Sequence, residues 1–219
     1  GPAADAFNIP NAVPNMIYIL VGGGVLNSVL VPAMVRAIKA DADGGEAYSQ
    51  RLFSLVVTVI GLATVIAVAA APWLIRLIVN DAYLDPANRE YFDNMVMFAR
   101  FCLPQIFFYG LYVLIGQMLN AHGRFGPMMW SPVLNNVVAI AVFGAYIVAF
   151  GRQSSTQPEP FSSTEVLLLG VGSTLGVAVQ ALALVPVLRR TGFRIRFRTD
   201  WRGAGLGTAG RLGLWTVAF

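Results

Sequence analysis

LFSLVVTVIGLATVIAVAAA, from Leu52 to Ala71, runs for twenty residues without a charge. Twenty residues of helix rise about 30 Å, the thickness of a bilayer's hydrocarbon core. The stretch reads as a membrane-spanning helix that Pro72 interrupts. Trp73 to Val79 then continues as an interfacial extension, with Trp73 as aromatic anchor and Arg76 beside it. The same pattern recurs on both sides. One apolar segment covers Pro14 to Val35, with Pro14 in its first turn, and others cover Met95 to Leu119 with a kink expected at Pro104, Pro127 to Phe150, and Val166 to Leu188. A sixth begins near Gly205 and reaches Phe219.

Composition agrees with this pattern. Of 219 residues, 57% are hydrophobic and 12% charged, against roughly 45–50% and about 25% in soluble domains. The expected fold class is all-α, a polytopic transmembrane helix bundle, with residues 1–219 forming one partial transmembrane domain. Cys102 and His122, one of each kind, exclude an internal disulfide and leave too few soft ligands for a structural zinc site. The net charge of +4 gathers at helix ends, where membrane topology accounts for it without nucleic acid. The chain opens at Gly1 with neither initiator Met nor basic n-region, so it reads as an excised piece without a cleavable signal.

Ten Lys and Arg fall in one set of loops: Arg36, Lys39, Arg51, Arg124, Arg189, Arg190, Arg194, Arg196, Arg198 and Arg202. The alternate loops hold two, Arg89 and Arg152. Basic residues favour the cytoplasmic side, which puts the first set inside and Asp5 outside. The Gln153–Pro160 stretch reads as a flexible outer loop. The alternation of basic and apolar residues from Phe193 to Arg198 either serves topology alone or also attracts anionic membrane lipid.

No metal-binding His-Glu helix, serine nucleophile elbow or phosphate-cradling glycine loop is present. No enzyme or cofactor is expected. Polar side chains inside the apolar runs carry more information, because each must find a partner or line water. Asn15, Asn27, Gln105, Gln117, Asn135, Asn136 and Gln180 recur through four helices. Either they bond between helices or they line a hydrated cavity. Arg100 lies about 9 Å along a helix from its outer end. It either snorkels to the interface or meets an anion in the cavity. Gly22–Gly24 and the Gly172/Gly176 pair suggest close helix packing, the former also a local deformation.

Two blocks resemble a known family. Asp5-Ala6-Phe7, Val13-Pro14-Asn15 and Val31-Pro32 form the first; Leu119-Asn120-Ala121-His122-Gly123-Arg124-Phe125 followed by Ser131-Pro132-Val133-Leu134-Asn135-Asn136 forms the second. Both are similar to MurJ/MviN proteins, the lipid II flippases of bacterial cell-wall synthesis. The resemblance implies fourteen helices in two lobes, of which this chain would be the incomplete amino-terminal lobe: the second to sixth helices and the start of the seventh. It implies a multi-pass protein of the bacterial cytoplasmic membrane that moves lipid II, an undecaprenyl-pyrophosphate-linked muropeptide, from inner to outer leaflet by alternating access. The implied partners are lipid II, membrane lipids and the missing remainder of the transporter. Asp5, Asn15, Asn27, Arg100, Gln117, Asn135 and Asn136 are the candidate substrate-binding or cavity-lining residues. Where the family carries a basic pair in its second helix, this chain has Tyr18 and Ile19, and the following acidic position falls on Gly23. Other readings are export of another polyprenyl-linked glycan, or a transport-inactive scaffold for wall-synthesis partners.

The charge distribution predicts that cysteines placed at Ser154 and Asp85 react with an impermeant thiol reagent in intact cells, while cysteines at Asp43 and Arg194 do not, Cys102 being replaced throughout. Reaction at position 194 would reverse the orientation.

Overall fold

The structure, a computed structural model, describes residues 2–20, 34–37, 45–151 and 160–200. Within them the chain forms α1 (Pro2–Leu20), α2 (Glu46–Ala69), α3 (Ala71–Ile78), two single 3₁₀ turns (Asp81–Leu84 and Pro86–Asn88), α4 (Arg89–Cys102), α5 (Gln105–Ala121), α6 (Gly126–Phe150), α7 (Ser163–Leu182) and α8 (Leu184–Arg189). Among the described residues four stretches are long and apolar enough to cross a membrane: Glu46–Ala69, Pro86–Ala121, Gly126–Phe150 and Ser163–Arg189. The fold is all-α. Of the span expected at 14–35, residues 21–33 lie outside the described residues. So do Gly22–Gly24, Asn27, most of the 153–160 loop and the helix expected from Gly205.

The helices begin earlier than hydropathy indicates. α1 starts at Pro2 and not at Pro14, so that Pro10 and Pro14 both lie inside it. α2, α4 and α7 start six, six and three residues before the apolar runs that mark them. Each of these four helices has an acid in its first turn: Asp5, Glu46, Glu90 and Glu165. A carboxylate there is favoured by the helix dipole. Apolarity therefore marks the part of each helix in hydrocarbon, while polar ends carry the helix beyond it. α7 has in addition a full capping box, in which Glu165 accepts from the Ser162 N–H at 2.8 Å and Ser162 accepts from the Glu165 N–H at 3.4 Å.

Prolines divide two spans where expected. Ala70 separates α2 from α3, with Pro72 at the start of α3. Leu103 and Pro104 separate α4 from α5. At this second break the carbonyl of Phe101 accepts a hydrogen bond from the Thr174 hydroxyl of α7, at 2.5 Å. A neighbouring helix thus satisfies a backbone group at a helix break within the apolar layer.

α7 is the central post, packed by α1, α4, α5, α6 and α8. α6 leans mainly on α7 and is otherwise uncovered: 6% of its apolar window is buried, against 50% for α7. The α6–α7 contact is made by small residues. A methyl at Gly172 would lie 2.5–2.7 Å from the Val142 methyls, and one at Gly176 would collide with the Asn135 side-chain oxygen. The α5–α6 turn is a Schellman cap, in which Gly123 (φ 71°) donates to Asn120 O at 3.0 Å and Arg124 donates to Leu119 O at 2.8 Å. The positive φ explains a glycine in the His122-Gly123-Arg124 block.

The two ends of the bundle are distinct. At one, Tyr83 donates to Asp5 (2.8 Å) and Asn94 to the Phe161 carbonyl (2.9 Å), tying α1, α4 and the loops together. At the other, residues 193–200 run extended along the start of α2. Gln50 donates to the Arg194 carbonyl at 3.0 Å, and the Arg198 N–H donates to Ser54 at 2.8 Å. Arg51 reaches Asp200 at 2.9 Å. This hydrogen-bonded guanidinium holds the Asp200 carboxyl below the usual carboxylate range. Because the folded pKa is depressed, the clamp is complete above the ordinary Asp pKa and is lost as pH falls through the lowered one.

The packing predicts that, in the full-length protein, Gly172→Val and Gly176→Val each destabilise by about 1–3 kcal/mol through overpacking. Gly144→Ala on α6, with nothing within 4 Å, does not lower the thermal unfolding midpoint, because alanine favours the helix and meets no neighbour. Thermal unfolding in detergent distinguishes them.

Candidate functional site

Asn8, Asn11 and Asn15 are three and four residues apart, so they form one stripe along α1. Pro10 and Pro14 leave the carbonyls of Ala6 and Pro10 without their usual helical donors. Facing the stripe, at the first position of α5, Gln105 is 2% exposed and donates to Asn11 Oδ1 at 3.1 Å. One turn on, Tyr109 stacks against Tyr18 with centroids 4.8 Å apart. Ser173 and Val177 of α7 complete the floor, the Ser173 hydroxyl bonding back to Leu169 O at 2.8 Å. Asn135, Ala139 and Phe143, at helical spacing on α6, form the opposite wall. The close approach at Gly176 is what seats Asn135 beside α7.

These surfaces border an open cleft of about 530 Å³, and none of the described residues lining it is charged. Towards the Asp5 end it adjoins an apolar pocket of about 320 Å³ through the shared Phe7, Asn8 and Phe143. There the rings pack edge to face: Phe7 on Phe98 at 5.4 Å and on Phe143 at 6.0 Å, and Phe98 on Phe161 at 5.3 Å. Tyr146 also lines this pocket and donates its hydroxyl to Glu165 at 2.7 Å. An amide-rich strip thus passes into an aromatic mouth. Among the described residues no group of three His, Cys, Asp or Glu side chains could hold a metal ion.

Of the candidate residues, Asn15 and Asn135 meet across this cleft. Asp5 stands beyond it, as the acceptor that ties Tyr83 and its loop to α1. Burial, and then the Asp5 carboxylate, push the Tyr83 phenol above its ordinary pKa. Arg100 is exposed on the side of α4 opposite Met95, Phe98, Ala99 and Cys102, and does not line the cleft. Gln117 is buried near the other end of α5 and accepts from Asn120 at 3.2 Å. Asn136 is exposed, turned away from Asn135 around α6. Asn27 lies outside the described residues.

Asn8, Asn11, Tyr109, Ser173 and Phe143 also belong to the cleft, although the hydropathy pattern does not mark them. A helix start at Pro14 puts Asn8 and Asn11 in a loop. Beginning it at Pro2 exposes the 8/11/15 spacing.

Helices long and apolar enough to cross a membrane, packed around a polar cleft, define a polytopic helical membrane protein. The chain belongs to the MurJ family, described as lipid II flippase MurJ, whose model matches residues 1–219. It is 28% identical over 203 residues to a probable lipid II flippase MurJ of Rhizobium meliloti (strain 1021), covering 90% of this chain and 35% of that protein. To the protein of the same description in Rhizobium tropici it is 30% identical over 172 residues, covering 78% and 32%. To that of Haemophilus influenzae it is 24% identical over 211 residues, covering 94% and 39%. The chain therefore spans about a third of the length of these relatives.

Proposed function

We propose that the full-length protein containing this chain moves lipid II from the inner to the outer leaflet of the bacterial cytoplasmic membrane by alternating access, supplying cell-wall synthesis. The observation that carries the reading is the uncharged amide cleft among membrane-spanning helices. A polar headgroup crossing about 30 Å of hydrocarbon must exchange its water for other partners. Asn8, Asn11, Asn15 and Asn135 offer both donors and acceptors for that exchange. A scaffold that only recruits partners from its surface has no need of such a lining.

The names of the relatives supply the substrate, and the ten-to-two distribution of basic residues supplies the sidedness. The open side of the cleft is where the remaining chain would close the path, while the face of α6 turned away from Asn135 is left to hydrocarbon. The pyrophosphate belongs with cations of that remaining chain, since none lines the cleft.

The test is depletion of the full-length protein in a strain without a second flippase, followed by measurement of lipid II exposed on the outer leaflet. Exposure falls on depletion and returns with the full-length protein, but not with residues 1–219 alone, which lack the other wall. Unchanged exposure on depletion overturns the reading.

A further inference from the structure

We infer that the amide cleft and its aromatic mouth seat the sugar part of the lipid-linked headgroup, and neither its pyrophosphate nor its peptide. The inference rests on the flippase reading and states which portion of that substrate these residues meet.

The first argument is charge. Among the described residues no Lys, Arg or His lines the cleft. Against these walls a pyrophosphate would give up water without meeting a cation, and the carboxylate of a peptide stem would meet the same difficulty. A saccharide has no such requirement: each hydroxyl is at once donor and acceptor, as is an acetamido group. A side-chain amide offers both functions too. The exposed Asn8 and Asn15 and the half-buried Asn11 and Asn135 present them from two facing walls.

The second argument is shape. Sugar rings have apolar C–H faces that lie well against aromatic side chains. The strip of amides leads into Phe143, Tyr146 and Phe161, while the stacked Tyr18 and Tyr109 stand at its other end. The volume of about 530 Å³ is that of a small-molecule site, roughly 300–1,000 Å³, and its lining is richer in amides than an ordinary apolar pocket. An apolar helix laid into the cleft would leave the asparagines without partners.

The test uses purified full-length protein in nanodiscs and three probes: undecaprenyl pyrophosphate, the same lipid carrying the disaccharide without peptide, and complete lipid II. Asn8→Leu/Asn15→Leu, at two exposed positions, raises the Kd for both sugar-bearing probes about tenfold, the size of two ordinary hydrogen bonds. Binding of undecaprenyl pyrophosphate is unchanged. Phe143→Leu, which keeps an apolar side chain but removes the ring, gives a smaller loss confined to the same two probes. Unchanged thermal unfolding shows that each variant is folded. Equal weakening of all three probes, or loss only with complete lipid II, overturns the sugar assignment. No weakening with any probe overturns it as well, and assigns the cleft to a helix of the remaining chain. If the unaltered protein binds none of the sugar-bearing probes, the flippase reading itself fails.

Discussion

Hydrocarbon offers no hydrogen bonds, and the architecture depends on that constraint. Backbone groups are satisfied inside helices, and breaks are tolerated where another helix supplies the missing partner, as Thr174 does for Phe101. The same constraint gives meaning to the side chains. Gln105 is enclosed and uses Asn11 as its acceptor, but Asn8 and Asn15 on the same stripe remain exposed. These two amides are open towards the side that the remaining chain would cover, and under the proposed function they line the path of the headgroup.

Packing around α7 makes that place possible. Gly172 and Gly176 allow α6 to lie close enough for Asn135 to face the α1 stripe. α6 meets few other described residues, so the cleft has a fixed floor and one wall carried on a single helix. The two ends are held by different means. At one, aromatic rings and the Tyr83–Asp5 bond join the helices; at the other, Gln50, Ser54 and Arg51 fasten the extended 193–200 segment to α2.

The fold was legible because an uncharged apolar run of about twenty residues suits a membrane-spanning helix and little else. Prolines at 72 and 104 divide helices where their missing N–H requires. The Ser162–Glu165 capping box starts α7 three residues before the apolar run at Val166 that marks it by hydropathy. The cleft was readable only in part. Asn15 and Asn135 stand out as amides in apolar runs, but Asn8 and Asn11 were hidden by a helix start taken from hydropathy. Asn136 looks equivalent to Asn135 in sequence and is turned away by the roughly 100° step of the helix. Arg100 illustrates a different limit: depth along a helix is readable from the chain, whereas the face it occupies depends on which neighbours pack against α4.

Whether the cleft is wet within the bilayer is the most direct test of this account. Ser173 lies ten residues into α7, about 15 Å from its start, while Val137 is at similar depth on the uncovered face of α6. In the full-length protein with Cys102 replaced, Ser173→Cys should react with a charged, membrane-impermeant thiol reagent far faster than Val137→Cys, which faces hydrocarbon. Equal and negligible reaction at both positions would mean that the asparagines enclose no water, and would contradict the account.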